Sequence, residues 1–358
     1  MNSRAIAPIR RDLLAWYAKE ARDLPWRRAR DPYLIWLAEI ILQQTRVDQG
    51  LPYYERFRAA FPTVHALAAA SSDAVLKAWE GLGYYSRARN LHKAARTVVE
   101  HHGGTFPATA AELAKLPGVG PYTAGAVASI AHGEPTPAVD GNVKRVIARL
   151  RHITASVDGG EGAQAVWRHC AALVDPGDPG AFNQALMELG ARVCLPRKPA
   201  CGECPIARHC AARAAGAQDN LPVRKPKGPT PRHELAVAVV FRNGRCLIAK
   251  RPPEGLLGGL WEFPSGAVET GEDHPTALRR IMADAFGLAV EPGGLAAVVN
   301  HAYSHFKVTL NVYRCADRGG QPTPARHTET KWVRPADFSR YAFPGANRKF
   351  LPVITGAP

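Results

Sequence analysis

The sequence lacks any long apolar run, and this absence excludes membrane-spanning proteins. No stretch of the 358 residues approaches the roughly 18 apolar residues that a spanning helix needs. The opening segment, MNSRAIAPIRRDLLAWY, also lacks the apolar core of a secretory signal. We therefore expect no membrane span and no signal peptide, with a reducing cytoplasm as the compartment.

Acidic residues are few relative to basic ones. The chain has 31 Asp and Glu against 46 Lys and Arg, a formal charge of +15. Such an excess favours association with a polyanion such as a nucleic acid, although a basic protein without such a partner would carry the same charge. The length predicts two domains, and an apolar content of 46% is enough to build their cores.

Cysteine is scarce outside one short segment. Of seven cysteines, three have no partner at a useful spacing, and we expect them to be buried: Cys170, Cys246 and Cys315. The other four follow a Cys-x6-Cys-x2-Cys-x5-Cys pattern: Cys194, Cys201, Cys204 and Cys210. Thiols this dense in a long chain indicate a metal rather than disulfides. Zinc is the generic candidate, but zinc ribbons usually pair two Cys-x2-Cys knuckles, and only one is present.

A Gly-x-Gly turn opens onto a helix in the middle of the chain. Leu116–Gly120 precedes a predicted helix at 122–131, and Asp140 follows. Glycines at a helix start, here Gly118 and Gly120, let backbone N–H groups approach a phosphate. The segment therefore predicts a phosphate site near a carboxylate. The local alternatives are an ordinary turn and an N-capping aspartate.

Another helix is predicted from Tyr33 to about Val47, with Asp31 as its N-cap. Glu39 lies within this helix, and its neighbours at helical spacing are mostly apolar. Apolar surroundings disfavour an ionised carboxylate, so the pKa of Glu39 should rise toward the value that a general acid needs. A glutamate on the helix surface is the plain alternative.

The segment Glu80–Asn90 combines glycines, two tyrosines and basic side chains. Aromatic side chains on a loop of this kind can fill the gap that a flipped base leaves in a duplex. The alternative is a corner between two helices, with the tyrosines packed inside.

The composition changes after about residue 217. Residues 217–232 are rich in proline and basic residues and are predicted to be a linker. Beyond the linker, four β-like segments predict a sheet domain: 235–241, 246–250, 295–299 and 307–313. Five residues match the spacing of a Nudix hydrolase motif: Gly266, Glu272, Arg280, Gly287 and Leu288. That motif binds Mg²⁺ through a cluster of glutamates, where this chain has Ile281, Asp284 and Ala285. We therefore expect the fold without the hydrolase.

Together these motifs resemble the adenine DNA glycosylases of the helix–hairpin–helix/Gly-Pro-Asp superfamily, over nearly the whole chain. The segment WLAEIILQQT around Glu39 is similar to the family's catalytic helix, and the cysteine spacing is similar to its [4Fe–4S] loop. The resemblance implies a multidomain fold: an all-α helix–hairpin–helix domain with the [4Fe–4S] loop at 1–216, the linker at 217–232, and an α+β Nudix-like domain at 233–358. These enzymes remove adenine mispaired with 8-oxoguanine.

The resemblance also implies catalytic roles. Glu39 protonates the departing adenine, and Asp140, oriented by Asn142, stabilises the positive charge on the sugar or adds to it covalently. Bifunctional relatives have a lysine nucleophile where this chain has Tyr122, and tyrosine cannot form a Schiff base. We therefore predict a monofunctional glycosylase that leaves an uncut abasic site.

Substrate contacts are implied by the same matching. Three residues are assigned to the adenine pocket: Arg22, Trp26 and Gln184. Four are assigned to 8-oxoguanine: Gln44, Thr45, Leu82 and Tyr84. Tyr303, Ser304 and His305 replace the Phe-Ser-His that the family usually has in the loop that recognises the oxidised base; a surface hairpin is the local alternative. The implied partner is double-stranded DNA with adenine opposite 8-oxoguanine or guanine, bound by a monomer in a bacterial cytoplasm rather than at a membrane.

Three other functions remain open at this point. An endonuclease III-like lyase shares the hairpin and the cysteine spacing, but Tyr122 argues against it. A Nudix pyrophosphohydrolase would account for the C-terminal half alone. A non-catalytic DNA-binding module would explain the charge and the hairpin, but it would leave the surroundings of Glu39 and Asp140 unexplained.

Overall fold

The computed structural model describes residues 3–226 and 228–356. The described α-helices, in chain order, are α1 (Ser3–Glu20), α2 (Pro32–Ile41), α3 (Val47–Ala60), α4 (Val64–Ala69), α5 (Ser72–Ala78), α6 (Ser86–His102), α7 (Ala110–Leu113), α8 (Pro121–His132), α9 (Gly141–Leu150), α10 (Gly160–Leu173), α11 (Pro179–Arg192), α12 (Ala211–Ala214), α13 (His274–Phe286), α14 (Gly345–Arg348) and α15 (Leu351–Thr355). The described strands are β1 (Arg232–Arg242), β2 (Arg245–Lys250), β3 (Trp261–Glu262), β4 (Ser265–Ala267), β5 (Val290–Ala302), β6 (Lys307–Asp317) and β7 (Glu329–Val333). Among these helices, none has the length and apolar character needed to cross a membrane.

The chain divides into two compact units. The first unit contains Met1–Ala68 and Lys93–Lys227, and the second contains Ala69–His92 and Gly228–Pro358. The sheet lies in the second unit and most of the helices lie in the first, so a helical domain followed by an α+β domain, the predicted fold class, is confirmed.

In the first unit, the start of the chain packs with helices from beyond residue 139. Ile9 and Leu13 of α1 share one buried core with Ile147 of α9 and with Phe182 and Leu186 of α11. Burying each such side chain contributes about 1.5–3 kcal/mol. Since α11 also packs against α8, it holds together the helices that carry the site described below.

Helix α2 begins where predicted but ends earlier. Asp31 caps its start, and its Oδ1 accepts a hydrogen bond from the backbone N–H of Tyr33 at 2.8 Å. The prediction of a helix to about Val47 is wrong: α2 ends at Ile41, and Gln44 adopts a left-handed backbone conformation with φ of 58°. A residue in that conformation cannot continue a right-handed helix. Gln44 and Thr45 therefore lie on the turn between α2 and α3.

Glycine is required at two positions near the site, one in the turn before α8 and one where α11 contacts α9. Gly118, in the turn before α8, has a φ of +74°, where any side chain would be strained. In α11, a Cβ added to Gly190 would lie 2.6 Å from the Cβ of Asn142. Glycine at that position therefore permits the close approach of α11 to the beginning of α9.

The second unit is built on a mixed sheet. Its strand order is β3-β2-β1-β6-β5, with β4 also paired to β1 and β7 to β2. β1 and β6 are parallel, and the other pairs are antiparallel. Along β1, Val237 and Val239 enter one core, while Ala236, Ala238 and Val240 enter the other, which includes α13. Burial on both faces explains why β1 is a continuous apolar run, and the predicted sheet domain is confirmed.

Ala69–His92 belongs to this second unit, which the sequence did not predict. The Nζ atom of Lys77 donates a hydrogen bond to the carbonyl of Tyr341 at 3.0 Å. The backbone N–H of Phe343 donates to Glu80 at 3.0 Å, and Arg89 donates to the carbonyl of Gly258 at 2.9 Å. This stretch of the helical half therefore packs with the sheet.

Candidate active site

Three side chains from three separate elements line one cleft of the first unit. Glu39 comes from α2, Tyr122 from the first turn of α8, and Asp140 immediately precedes α9. The cleft has a volume of about 300 Å³. The residues that line it are Glu39, Leu42, Gln43, Gln44, Tyr122, Val139, Asp140, Gly141 and Lys144.

Glu39 is a buried acid that still reaches this cleft. The residue is 8% exposed, and its Oε2 accepts a short hydrogen bond from the hydroxyl of Tyr122. Burial raises the pKa of Glu39 to about 7; the hydrogen bond from Tyr122 opposes this rise, and the charge of Asp140 adds to it. The predicted rise is confirmed. Near neutral pH a large fraction of Glu39 is protonated, which is what a general acid requires.

Tyr122 stays neutral at physiological pH. Burial, together with the nearby carboxyls of Glu39 and Asp140, raises its pKa well above the ordinary tyrosine value. Its hydroxyl also contacts the Sδ atom of Met187 in α11 at 3.4 Å. The phenol is therefore a fixed hydrogen-bond donor to Glu39.

Asp140 is both the N-cap of α9 and a side chain lining the cleft. Its Oδ1 accepts a hydrogen bond from the backbone N–H of Val143 at 2.7 Å, and its Oδ2 accepts one from the Nδ2 atom of Asn142 at 2.9 Å. Burial raises the pKa of Asp140, while these two hydrogen bonds favour its ionised form. The helix dipole of α9 also favours a negative charge there. The N-cap alternative and a catalytic role are thus compatible.

Arg145 connects this region to the cysteine loop. It is 6% exposed, and its Nη2 atom donates to the Oδ1 atom of Asn142 at 2.9 Å and to the carbonyl of Gly190 at 2.7 Å. Its Nε atom donates to the carbonyl of Cys194 at 2.7 Å. Our reading of the sequence missed Arg145 and Arg149. The sequence signal for them was two arginines four residues apart among the apolar residues of a predicted amphipathic helix.

The four cysteines surround one cavity within the first unit: Cys194, Cys201, Cys204 and Cys210. Arg149, which is 2% exposed, donates to the Sγ atom of Cys194 at 3.3 Å and to the carbonyl of Leu195 at 2.6 Å. Within residues 3–226 and 228–356, no three His, Cys, Asp or Glu side chains are grouped to hold a single metal ion. Four thiols around one cavity, with a buried arginine beside them, fit an anionic cluster. The other three cysteines are buried, as predicted.

A second cavity, of about 250 Å³, lies in the second unit. It brings together five residues that the sequence assigned to recognition of the oxidised base: Leu82, Tyr84, Tyr303, Ser304 and His305. The hydroxyls of Tyr84 and Ser304 form a short hydrogen bond, and Tyr303 stacks on Phe306 with ring centroids 4.7 Å apart. Residues 80–85 form a turn before α6. Tyr85 is 4% exposed, as the helix-corner alternative predicted, whereas Tyr84 is 40% exposed; insertion of this turn into a duplex stays a prediction. Leu256, Leu257 and His301 also line the cavity and were missed.

Four other assigned residues do not line the Glu39 cleft: Arg22, Trp26, Thr45 and Gln184. Trp26 is 6% exposed and packs edge-on against Tyr54, with ring centroids 5.1 Å apart. Gln184 donates to the carbonyl of Gly180 within its own helix at 3.3 Å. Gly120 is the N-cap of α8, and a Cβ added there would have no neighbour within 4 Å, so its backbone is accessible.

Comparison with known proteins gives three family matches. Residues 37–172 match the HhH-GPD superfamily of base excision DNA repair proteins, residues 194–210 match the iron–sulfur binding domain of endonuclease III, and residues 236–352 match the NUDIX domain. The four cysteines therefore form an iron–sulfur binding motif.

Individual relatives agree with these matches. The chain is 37% identical to the adenine DNA glycosylase of Homo sapiens, covering 98% of this chain and 74% of the human protein. It is 32% identical to the adenine DNA glycosylase of Buchnera aphidicola subsp. Acyrthosiphon pisum, and the alignment covers 70% of this chain and 72% of that protein. Relatives thus occur in eukaryotes and bacteria, and they do not support the predicted bacterial origin.

A solved thermostable thymine-DNA glycosylase has the fold of the helical part. It aligns with a TM-score of 0.53 at 30% identity, covering 59% of this chain and 98% of that one. The protein in a solved endonuclease III–DNA complex has the same fold. It aligns with a TM-score of 0.51 at 22% identity, covering 60% of this chain and 98% of that one. With its helix–hairpin–helix domain, iron–sulfur loop and Nudix domain, the chain belongs to the adenine DNA glycosylase family.

Proposed function

We propose that the protein removes adenine from double-stranded DNA by hydrolysing its N-glycosidic bond, and that this adenine is paired with 8-oxoguanine or guanine. One observation carries the proposal: two carboxyls, Glu39 with a pKa raised to about 7 and Asp140, line the same cleft. Two carboxyl groups in these roles are the usual machinery for cleaving a glycosidic bond. The charge of +15 suits a monomer that binds the DNA backbone.

The first half of the reaction is assigned to Glu39. The target adenine leaves the base stack, because its glycosidic bond is inaccessible inside the duplex. The Glu39 carboxyl, held by the phenol of Tyr122, donates its proton to the departing adenine. Protonation makes adenine a neutral leaving group, so the C–N bond breaks with positive charge developing on the sugar. Glu39 is then an ionised base that can accept a proton from the attacking water.

The second half is assigned to Asp140. Its carboxylate meets the positive charge on the sugar, either electrostatically or through a transient covalent bond. The N–H of Val143 and the amide of Asn142 hold this carboxylate in position, which supports a preorganised role. Tyr122 offers no amine for a Schiff base, so the product is an abasic site in an intact strand.

Recognition of the base opposite adenine is assigned to the cavity of the second unit. Tyr84, Ser304 and His305 supply polar atoms there, and Leu82 and Tyr303 supply apolar surface. Such a mixture of donors and rings is suited to an oxidised purine, which has additional polar edges but retains an aromatic face. The Tyr84–Ser304 hydrogen bond links the two segments that were assigned to this task.

The iron–sulfur cluster is proposed to be of the [4Fe–4S] type, held by Cys194, Cys201, Cys204 and Cys210. When bound, it crosslinks the loop that these residues form. Protein purified without oxygen should contain about four iron atoms and four acid-labile sulfides per chain; two of each, or one zinc ion, would contradict this assignment.

The decisive experiment compares single-turnover adenine release from two duplexes, with adenine opposite 8-oxoguanine or opposite thymine. Each product is analysed with and without alkali, which cuts at abasic sites. The expected result is strand cleavage only after alkali and only for the oxidised mispair. Cleavage without alkali would indicate a lyase, and equal release from both duplexes would reject the recognition role. No release from either would reject the enzyme.

A further inference from the structure

A completely buried carboxylate, outside every motif described above, lies close to the active-site cleft. Glu188 is in α11, and its side chain is 0% exposed. An unpaired ionised carboxylate at such a depth would be strongly destabilised. Its partners therefore determine whether it is charged and what it does.

Two arginines bind Glu188. Arg22 donates from Nε to Oε1 at 2.7 Å and from Nη2 to Oε2 at 2.9 Å, a bidentate pairing. Arg27 donates from Nη2 to Oε2 at 2.8 Å, and from Nη1 to the carbonyl of Arg22 at 3.0 Å. Burial alone would raise the pKa of Glu188, but these arginines lower it below the ordinary value. The cluster is therefore one carboxylate shared by two guanidinium groups.

This cluster is connected to the catalytic acid. Met187, next to Glu188, contacts the hydroxyl of Tyr122 at 3.4 Å, and the same hydroxyl donates to Glu39. Arg27 also acts on Glu39 electrostatically. The other ionisable groups near Glu39 are Tyr122 from α8 and Asp140 and Lys144 at the start of α9. Next to the arginines lie Tyr17 of α1, whose ring centroid is 5.5 Å from the Arg27 guanidinium, and Asp48 of α3.

We propose that Glu188 is a positioning residue for base excision: it holds Arg22 and Arg27 in place and cancels their charge, so that Glu39 keeps its proton. The inference rests on the proposed function, because it assigns Glu188 to the same cleft. Without Glu188, two uncompensated cations would favour the ionised form of Glu39.

The test is the pH dependence of single-turnover adenine release. Release requires protonated Glu39, so the rate falls as pH rises through the pKa of that residue. Glu188→Gln should move this alkaline limb to lower pH, by roughly half a unit to one unit. Arg27→Gln removes a cation and should move the limb to higher pH. The double variant should return it close to the wild-type position.

Two controls separate charge from structure. Glu188→Asp retains the carboxylate, so the limb should stay in place even if the overall rate falls. Asp23→Asn removes an exposed carboxylate that pairs with Arg28 in the same segment and should change neither the limb nor the rate. If Glu188→Gln alone does not fold, the double variant is compared with Arg27→Gln: its limb should lie at lower pH than that of Arg27→Gln, and equal limbs would reject the inference.

Each outcome has a definite meaning. Opposite shifts for Glu188→Gln and Arg27→Gln support the proposal. A rate of Glu188→Gln that falls at every pH with an unmoved limb would show that Glu188 is only structural and would reject the inference, while wild-type release of adenine would leave the proposed function intact. A wild-type protein that releases no adenine would reject both.

Discussion

The carboxyl of Glu39 is both buried and accessible from a cleft, two properties that seldom occur together. It is buried enough for its pKa to rise to about 7, yet it lines a cleft that a base can enter. The short bond from Tyr122 fixes its orientation, while the neutral phenol adds no charge. At the scale of the residue, the proposed catalysis therefore depends on keeping one proton on the buried carboxyl of Glu39.

Replacing Glu39 by glutamine should abolish adenine release and leave duplex binding nearly unchanged. The amide has almost the same shape but no acidic proton to donate, so the loss should be at least about 100-fold. Single-turnover kinetics and a binding titration with the same duplex measure the two effects. Simultaneous loss of release and binding would instead mean that Glu39 is structural.

The rate of adenine release should depend on pH in a bell shape. Glu39 must be protonated, so the rate falls as pH rises through about 7. Asp140 must be ionised, so the rate falls again as pH drops through its pKa, which burial raises above the ordinary aspartate value. A pre-steady-state series across this range, with duplex binding monitored at each pH, would test both limbs. A rate that still rises above pH 8 would contradict the acid role of Glu39.

At the scale of the element, the approach of α11 to α9 positions the second carboxylate. Gly190 permits the approach, and Asn142, opposite it, donates to Asp140. Arg145 bonds to both Asn142 and the carbonyl of Gly190. The orientation of Asp140 thus depends on the packing of two helices as well as on its own capping bond.

Gly190→Ala should disturb this contact. The new Cβ would lie 2.6 Å from the Cβ of Asn142, so Asn142 or α11 must shift, and we expect this shift to weaken the hydrogen bond from Asn142 to Asp140. Overpacking of this kind costs about 1–3 kcal/mol in unfolding free energy. The acidic limb of the pH profile should also move to higher pH, because ionised Asp140 loses a donor.

Denaturant unfolding and the pH profile would measure the two effects of Gly190→Ala. Gly294→Ala is the matched control, since a Cβ there meets no atom within 4 Å. An unchanged profile in Gly190→Ala would show that the contact does not position Asp140.

At the scale of the whole molecule, the two compact units do not follow the order of the chain. Ala69–His92 lies within the helical half of the sequence but belongs to the unit of the C-terminal sheet. Lys77, Glu80 and Arg89 bond to backbone atoms of that half of the chain. The segment that carries Tyr84 is therefore held by residues more than a hundred positions away.

A chain that ends at Pro226 should lose order in this segment. Hydrogen exchange at 72–89 should accelerate, because the hydrogen bonds that join Lys77, Glu80 and Arg89 to residues beyond 226 would be lost, while α11 should remain protected by its own core. Exchange in the complete chain is the reference. Equal protection of 72–89 in both proteins would show that the segment is held by other contacts.

Much of the fold was predictable because it depends on local information. The extent of α8, the capping of α2 by Asp31 and the two-sided burial of β1 each follow from residues a few positions apart. The direction of the pKa shift of Glu39 was predictable from its apolar neighbours on one helix, whereas the contributions of Tyr122 and Asp140 come from other elements. The early end of α2 was not predictable, because no glycine or proline marks the left-handed turn at Gln44.

The sequence by itself determined that the chain has a helical part and a sheet part, that four cysteines share one loop, and that the neighbours of Glu39 on its own helix are apolar. Periodicity, capping and close spacing act over a few residues and are therefore visible in the sequence. Only the tertiary structure decided which distant groups meet. Glu188 pairs with arginines more than 160 positions earlier, Arg145 bonds to Gly190 and Cys194, and Tyr84 bonds to Ser304. These contacts depend on how buried helices and strands pack against one another, and no local pattern encodes which of many possible partners a buried charge will meet.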